Sequence, residues 1–176
     1  MKSKITTAVL LLLLCAHLWS AADVSRSKTG HLFFIQSNKM KNIVQYDVQL
    51  AENGDLREPN PIVVYWVLEN GKQEELNLIE KKFAYGIKSQ KILGKNELRI
   101  FLVALKTKEI IVKKIGSAYK PFISIGGKYS ILKKVYVSSE KGLVGLPKVN
   151  YLDLFGWNSN KKISVTERII PGNGGH

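Results

Sequence analysis

The sequence predicts a mainly-β fold: an antiparallel β-sandwich or small barrel of about eight to nine strands with one short amphipathic helix. Three observations carry that prediction. Segments rich in β-branched and aromatic residues follow one another every 8 to 15 residues or so, roughly the spacing of strands, with turn residues between them. Residues 43–50 alternate cleanly, with Val44, Tyr46, Val48 and Leu50 on one face and Gln45, Asp47 and Gln49 on the other, as a strand with one wet face does. One stretch, "KQEELNLIEKKFAYGIK", instead spaces its apolar residues as a helix does.

The elements follow in chain order. Met1 to Lys4 carry two lysines, and an almost unbroken apolar run over 5–19 ends in Ser20-Ala21-Ala22. That is the pattern of a secretory signal peptide over 1–22, cleaved near Ala22. The run falls short of the roughly 20 apolar residues that span a bilayer, and Leu14 stands where lipidation of Cys15 would want a small residue. Removing it leaves 154 residues, the size of one domain. Residues 23–30 read as a flexible lead-in, 31–170 as a single β-rich domain and 171–176 as a flexible tail, with no transmembrane segment in the mature chain.

Candidate strands lie at 31–36, 43–50, 62–68, 98–105, 109–115, 122–125, 129–137, 149–155 and 163–170. Asn53-Gly54, Gly126-Gly127 and Asn158-Ser159-Asn160 signal turns. Tight connections at 106–108 and 126–127 make 98–115 and 122–137 antiparallel hairpins. The strand at 62–68 is apolar on both faces, so both need cover. Ile62, Val64, Trp66 and Leu68 are expected to face the core, and Val63, Tyr65 and Val67 to lie beneath the helix. That helix is predicted over 73–84. Leu76, Ile79 and Phe83 recur at helical spacing, Glu74 and Glu75 come early, Lys81 and Lys82 late, and Gly86 stands as a left-handed cap.

Charge is spread unevenly along a chain of net charge +13. Residues 23–80 hold 6 basic and 9 acidic side chains, 81–134 hold 14 and 2, and 135–176 hold 5 and 3. A basic middle third attracts polyanions. For an exported chain these are anionic lipid head groups, lipopolysaccharide or acidic polysaccharide rather than nucleic acid, with Lys113, Lys114 and Lys134 as candidate contacts. The competing reading is a solvated lysine-rich surface, since only 4 of the 27 basic residues are arginine. Once Cys15 leaves with the signal peptide no cysteine remains, which excludes thiol nucleophiles, zinc–thiolate sites and iron–sulfur clusters. His31 and His176 are too few for histidine-based catalysis or metal binding. No phosphate loop, nucleophile elbow or calcium loop occurs, and no cofactor is expected.

Four charges interrupt apolar faces, where an ion must be paired or serve a purpose. Lys133 falls in line with Tyr129, Ile131, Val135 and Val137, and Glu167 with Ile163, Val165 and Ile169. Arg99 falls in line with Phe101, Val103 and Leu105, and Asp153 with Val149, Tyr151 and Phe155. Lys133 and Glu167 are candidates for an inward ion pair or the lining of a polar pocket, and burial can tune such a pair for proton transfer. The competing reading is a β-bulge or strand end that turns the side chain to water. Tyr65, Trp66, Tyr85 and Trp157, with Phe83, Tyr151 and Phe155, lie near turns or the helix. Such aromatics pack in the core or stack on sugar rings, and Trp157, between Gly156 and Asn158, is expected to be partly exposed.

Taken in order, "PIVVYWVLENG", "FAYGI", "YLDLFGW" and "SVTERI" resemble the signature segments of a family of small exported bacterial β-rich proteins grouped only as a domain of unknown function. The resemblance spans about Leu32 to Ile170. It implies an exported single β-rich domain and supplies no catalytic residues. It gives weight to Tyr65, Trp66, Ala84, Tyr85, Gly86 and Glu167 as shared motif positions.

The functional expectation is a monomeric, exported (periplasmic or secreted) binding or structural module of the bacterial cell envelope that contacts anionic partners through its basic middle third. The alternative is a small β-barrel carrier of an apolar or lipid-like small molecule, with Lys133, Arg99 and Glu167 at its polar end. A hydrolase using carboxylates such as Asp153 and Glu167 is least favoured, because spacing alone pairs no two carboxylates.

Overall fold

Eleven strands hydrogen-bond into one sheet that curls into a half-barrel. The computed structural model describes residues 28–141, 147–158 and 160–171. The predicted signal peptide, most of the lead-in and most of the tail lie outside the described residues. The strands are β1 (Lys28–Ser37), β2 (Ile43–Leu50), β3 (Ile62–Val67), β4 (Gln73–Glu75), β5 (Ile87–Gly94), β6 (Glu97–Leu102), β7 (Ile110–Ile115), β8 (Ala118–Ile125), β9 (Lys128–Lys141), β10 (Pro147–Asn158) and β11 (Ile163–Ile169). A single helical turn α1 (Leu78–Glu80) runs on into a π-helical turn, Lys81–Tyr85. No helix among the described residues is long and apolar enough to cross a membrane.

The long strand β9 is the pivot. One of its edges carries β8 antiparallel along 128–131 and then β1 parallel along 134–137, while the other edge carries β10. The sheet therefore forks into two wings, β1-β2-β3-β4 and β8-β7-β6-β5, and continues from the far edge of β9 through β10 to β11. Apolar side chains from both wings and the pivot meet in one cluster. Phe33, Ile35, Tyr46, Leu98, Ile100, Ile110, Ile123, Leu132 and Leu154 are all fully buried in it. Phe33 and Tyr46 stack with ring centroids 4.5 Å apart. The Tyr46 hydroxyl donates to the Tyr85 carbonyl, and burial pushes its pKa up.

The mainly-β expectation holds, with β4 and β5 added to the nine predicted strands, and three expectations about the helix need correction. Alternation in β5 is broken by bulges between Ile87 and Ser89 and between Ile92 and Gly94, and β4 is three exposed polar residues whose pairing is set by the turn before it. That turn occupies part of the predicted helix: the Lys72 carbonyl accepts from the Leu68 N–H at 2.9 Å, and 73–75 pair with β3. The helix begins only at Asn77, where a reciprocal capping box with Glu80 satisfies two otherwise orphaned N–H groups. Leu76 is buried, whereas Leu78, Ile79 and Phe83 are exposed. The helix also covers the other face of β3 from the one expected. Trp66 Nε1 donates to Glu80 Oε2 at 3.2 Å and its ring meets Tyr85 edge-on at 5.3 Å, while Tyr65 lies on the opposite face. Gly86 is not a left-handed cap, since its φ is −70°. Its requirement is space: the wide π turn brings the Lys81 carbonyl oxygen to within 1.9 Å of where a Cβ would stand.

Candidate functional site

Two bulges decide which side chains of β9 and β10 face out. Leu132 and Lys134 pair with the consecutive residues Gly156 and Phe155, so Lys133 is an extra residue in β9. Both Lys133 and Lys134 then point away from the core, and Val135 and Val137 return to it. In β10 the pairs Val149–Ser139 and Tyr151–Ser138 leave Asn150 as the extra residue. Val149 packs on the core, but Tyr151, Asp153, Phe155 and Trp157 form the outer face opposite buried Leu152 and Leu154.

That outer face is an aromatic surface threaded with cations. Lys134 is the direct cross-strand partner of Phe155, and its Nζ lies 4.7 Å from that ring and 5.8 Å from the Tyr136 ring. Arg168 is the cross-strand partner of Asp153. It holds that carboxylate with two hydrogen bonds, 2.7 and 2.8 Å, and lays its guanidinium 3.8 Å over Tyr151. The Arg168 hydrogen bonds keep the Asp153 carboxyl below its ordinary pKa. Trp157, 38% exposed, pairs with Ile131, and beyond it Phe122 and Tyr129 stack at 5.2 Å. Each cation–aromatic contact contributes about 0.5–1 kcal/mol when exposed. The chief effect is to hold Lys134 and Arg168 flat along the rings, so an approaching ligand meets ring faces and positive charge together.

On the β1–β2–β3 side, joined to the first through the Phe34–Lys134 pair, the same face carries a polar network. Asp47 is only 5% exposed and accepts from Tyr65 Oη at 2.6 Å and from Gln45 Nε2 at 3.1 and 3.3 Å, with His31 Nδ1 3.2 Å away. Burial, then the bond to Asp47, raises the Tyr65 pKa. An open cleft of about 710 Å³ adjoins it, lined by residues including Asp47, Tyr65, Glu74, Glu75 and Lys81.

The remaining predicted residues are scattered. Glu167 does face inward with Val165, but its partner is Lys108 rather than Lys133: Lys108 Nζ reaches both carboxylate oxygens at 2.7 Å, and the Gly126 N–H adds a third bond at 2.8 Å. Burial raises the Glu167 pKa, and these bonds outweigh it and leave it below the ordinary value. Lys133 stands exposed at its bulge and forms no pair with Glu167. Arg99 is on the outer face and pairs with Glu109, because β6 ends at Leu102 and Val103 and Leu105 belong to the following turn. Asp153 is likewise outside, its apparent phase shifted by the Asn150 bulge. Lys113 pairs with Glu97 at 3.3 Å. Lys114 donates to the Gly54 carbonyl at 3.1 Å and tethers the 51–55 loop, so it is not a free surface cation. Trp66 and Tyr85 hold the helical turn to the sheet. Sequence reasoning missed Lys108, hidden in a turn, and the Asp47 cluster, whose one signal was the alternation of Gln45 and Asp47 on the wet face of 43–50.

No curated protein and no solved structure matches the chain. A family model does match, over residues 33–168, which takes in both wings, the pivot strand and the outer aromatic face. The chain therefore belongs to the family described as Domain of unknown function (DUF4833).

Proposed function

We propose that this is a monomeric, exported binding module of the bacterial cell envelope whose outer sheet face takes an acidic polysaccharide. The observation that carries the reading is the array of Lys134 over Phe155 and Tyr136 beside Arg168 over Tyr151. Sugar rings present C–H faces that lie on aromatic rings, and their carboxylates need a cation at the same height. Lys134 supplies that cation, Arg168 lies over Tyr151 while paired with Asp153, and Trp157 extends the ring surface. The apolar run over 5–19 supports export.

A carrier of an apolar ligand has less support, because fully buried side chains such as Phe33, Tyr46, Leu98 and Leu132 pack together between the wings. A carboxylate hydrolase has less still. Asp153 and Glu167 lie on opposite faces and each is held by its own cation. Affinity electrophoresis through gels containing alginate tests the proposal. Retardation by alginate but not by dextran, reduced by Phe155→Ala and by Tyr151→Ala, is the expected result. Equal migration of wild type and both variants would sink it.

A further inference from the structure

Ten large hydrophobic side chains are exposed among the described residues, and three of them fall within six consecutive positions: Leu78 at 83%, Ile79 at 63% and Phe83 at 66% exposure. They occupy the short turn that leads from β4 to β5. Exposed apolar side chains on a fraying loop would signify little. This turn is held. Asn77 and Glu80 cap each other with two 2.9 Å bonds, Trp66 Nε1 donates to the same Glu80 carboxylate, and the buried Tyr46 hydroxyl donates to the Tyr85 carbonyl at its far end. Leu76 anchors the near end in the core. The scaffold thus projects three apolar side chains into water, the arrangement that marks an interaction surface.

The surrounding charge selects the partner. Residues 72–88 carry four lysines and three glutamates: Lys72 pairs with Glu74 at 2.9 Å, Lys81 with Glu75 at 3.7 Å, and Glu80 is held by the cap and Trp66, which leaves a positive surplus with Lys82 and Lys88. Lys82 Nζ sits 5.3 Å from the Phe83 ring, beside the apolar tip. A second copy of the chain beginning at Asp23, with 25 basic and 14 acidic side chains, would bring another net charge of +11 against the first. An anionic lipid surface complements both features, since apolar tips enter the acyl boundary while flanking ammonium groups stay with the phosphates.

We propose that the turn 78–85 is a shallow membrane-docking tip that inserts Leu78, Ile79 and Phe83 into an anionic phospholipid surface, with Lys81 and Lys82 at the phosphate level. The tip is separate from the outer aromatic face, and its test is independent of polysaccharide binding. The probe is co-sedimentation of the chain beginning at Asp23, which keeps every described residue, with vesicles of phosphatidylcholine and phosphatidylglycerol and with vesicles of phosphatidylcholine alone. Binding should favour the anionic vesicles and weaken with salt. Replacing Leu78, Ile79 and Phe83 together by serine should lower partitioning at least about tenfold, with near-ultraviolet circular dichroism and alginate retardation unchanged. In a Phe83→Trp variant, brominated acyl chains should quench the added fluorescence beyond that of wild type. Absence of vesicle binding, binding indifferent to the triple substitution, or an unquenched Trp at 83 would each overturn the proposal. So would a dimer in sedimentation velocity that the triple substitution abolishes, which would make the tip's partner a second copy.

Discussion

Gly156→Ala probes the packing on which the outer face depends. Gly156 sits opposite Leu132, next to the Lys133 bulge. A Cβ there would stand 2.4 Å from Ile125 Cδ1 and 2.8 Å from the Ile131 carbonyl oxygen. Ile125 is fully buried and has no solvent to swing into, and the Ile131 carbonyl is backbone within the β9–β10 ladder. Overpacking of this kind costs about 1–3 kcal/mol, which for a domain of this size lowers Tm by about 2–12 °C. Ile125→Val removes the nearer clash and alone costs about 0.5–1.5 kcal/mol. In the double variant the two costs should therefore fall short of additivity by roughly 1 kcal/mol. They should not cancel, because the carbonyl contact remains. Urea unfolding of the four proteins measures the cycle. Gly156→Ala within 0.5 kcal/mol or so of wild type, inside the usual range for neutral surface changes, would refute the close crossing. Additive costs would refute the role given to Ile125.

Other perturbations test the rest of the account. Lys108→Met should cost about 1–3 kcal/mol at pH 7 by leaving the partly buried Glu167 carboxylate without its cation. Because the folded Glu167 pKa lies below its unfolded value, its contribution is present above that unfolded value, about 4.3, and is lost as pH falls through the folded one. Stability of wild type should thus drop below about pH 4.5, and Lys108→Met should flatten that drop; parallel pH profiles of the two would contradict the pairing. Tyr65→Phe removes the 2.6 Å donor from buried Asp47 and should cost about 1–3 kcal/mol in urea unfolding, whereas a cost near zero would mean that Asp47 does not depend on that bond. Asn77→Ala removes the helix cap and should cost about 1 kcal/mol, with faster amide exchange confined to residues 78–85.

Most of the strands were legible because one face of each is wet, so the period of two survives in the residue order. Ile43–Leu50 is the clearest case: of its inward set Val44, Tyr46 and Val48 are buried and Leu50 partly so, while Asp47 is buried on the other face by its own hydrogen bonds. Legibility failed wherever an extra residue shifts the phase. Lys133 and Asp153 read as inward charges for two reasons: the bulges at Lys133 and Asn150 put Val135, Val137 and Val149 on the core face, and the apolar residues truly in line with them, Tyr129, Tyr151 and Phe155, stand on the outer face. The bulges arise from pairing across strands, which the order of residues along one strand does not contain. Helical spacing is a poorer guide to the helix than its cap: of Leu76, Ile79 and Phe83 only Leu76 enters the core, and the Asn77–Glu80 capping box marks where the helix starts. Glu167 was legible as an inward carboxylate, yet its partner came from a turn 59 positions earlier in the chain, a distance no spacing rule bridges.

In the proposed function Lys134 and Phe155 act together on an acidic sugar polymer. Titration calorimetry against alginate at two salt concentrations, with wild type, Lys134→Glu, Phe155→Ala and the double variant, measures it most directly. Binding should weaken with salt, each single variant should lose at least about fivefold, from roughly 1 kcal/mol per contact, and the double-variant losses should not be additive. Alginate affinity unchanged in Lys134→Glu and Phe155→Ala, or equal affinity for neutral dextran, would contradict it.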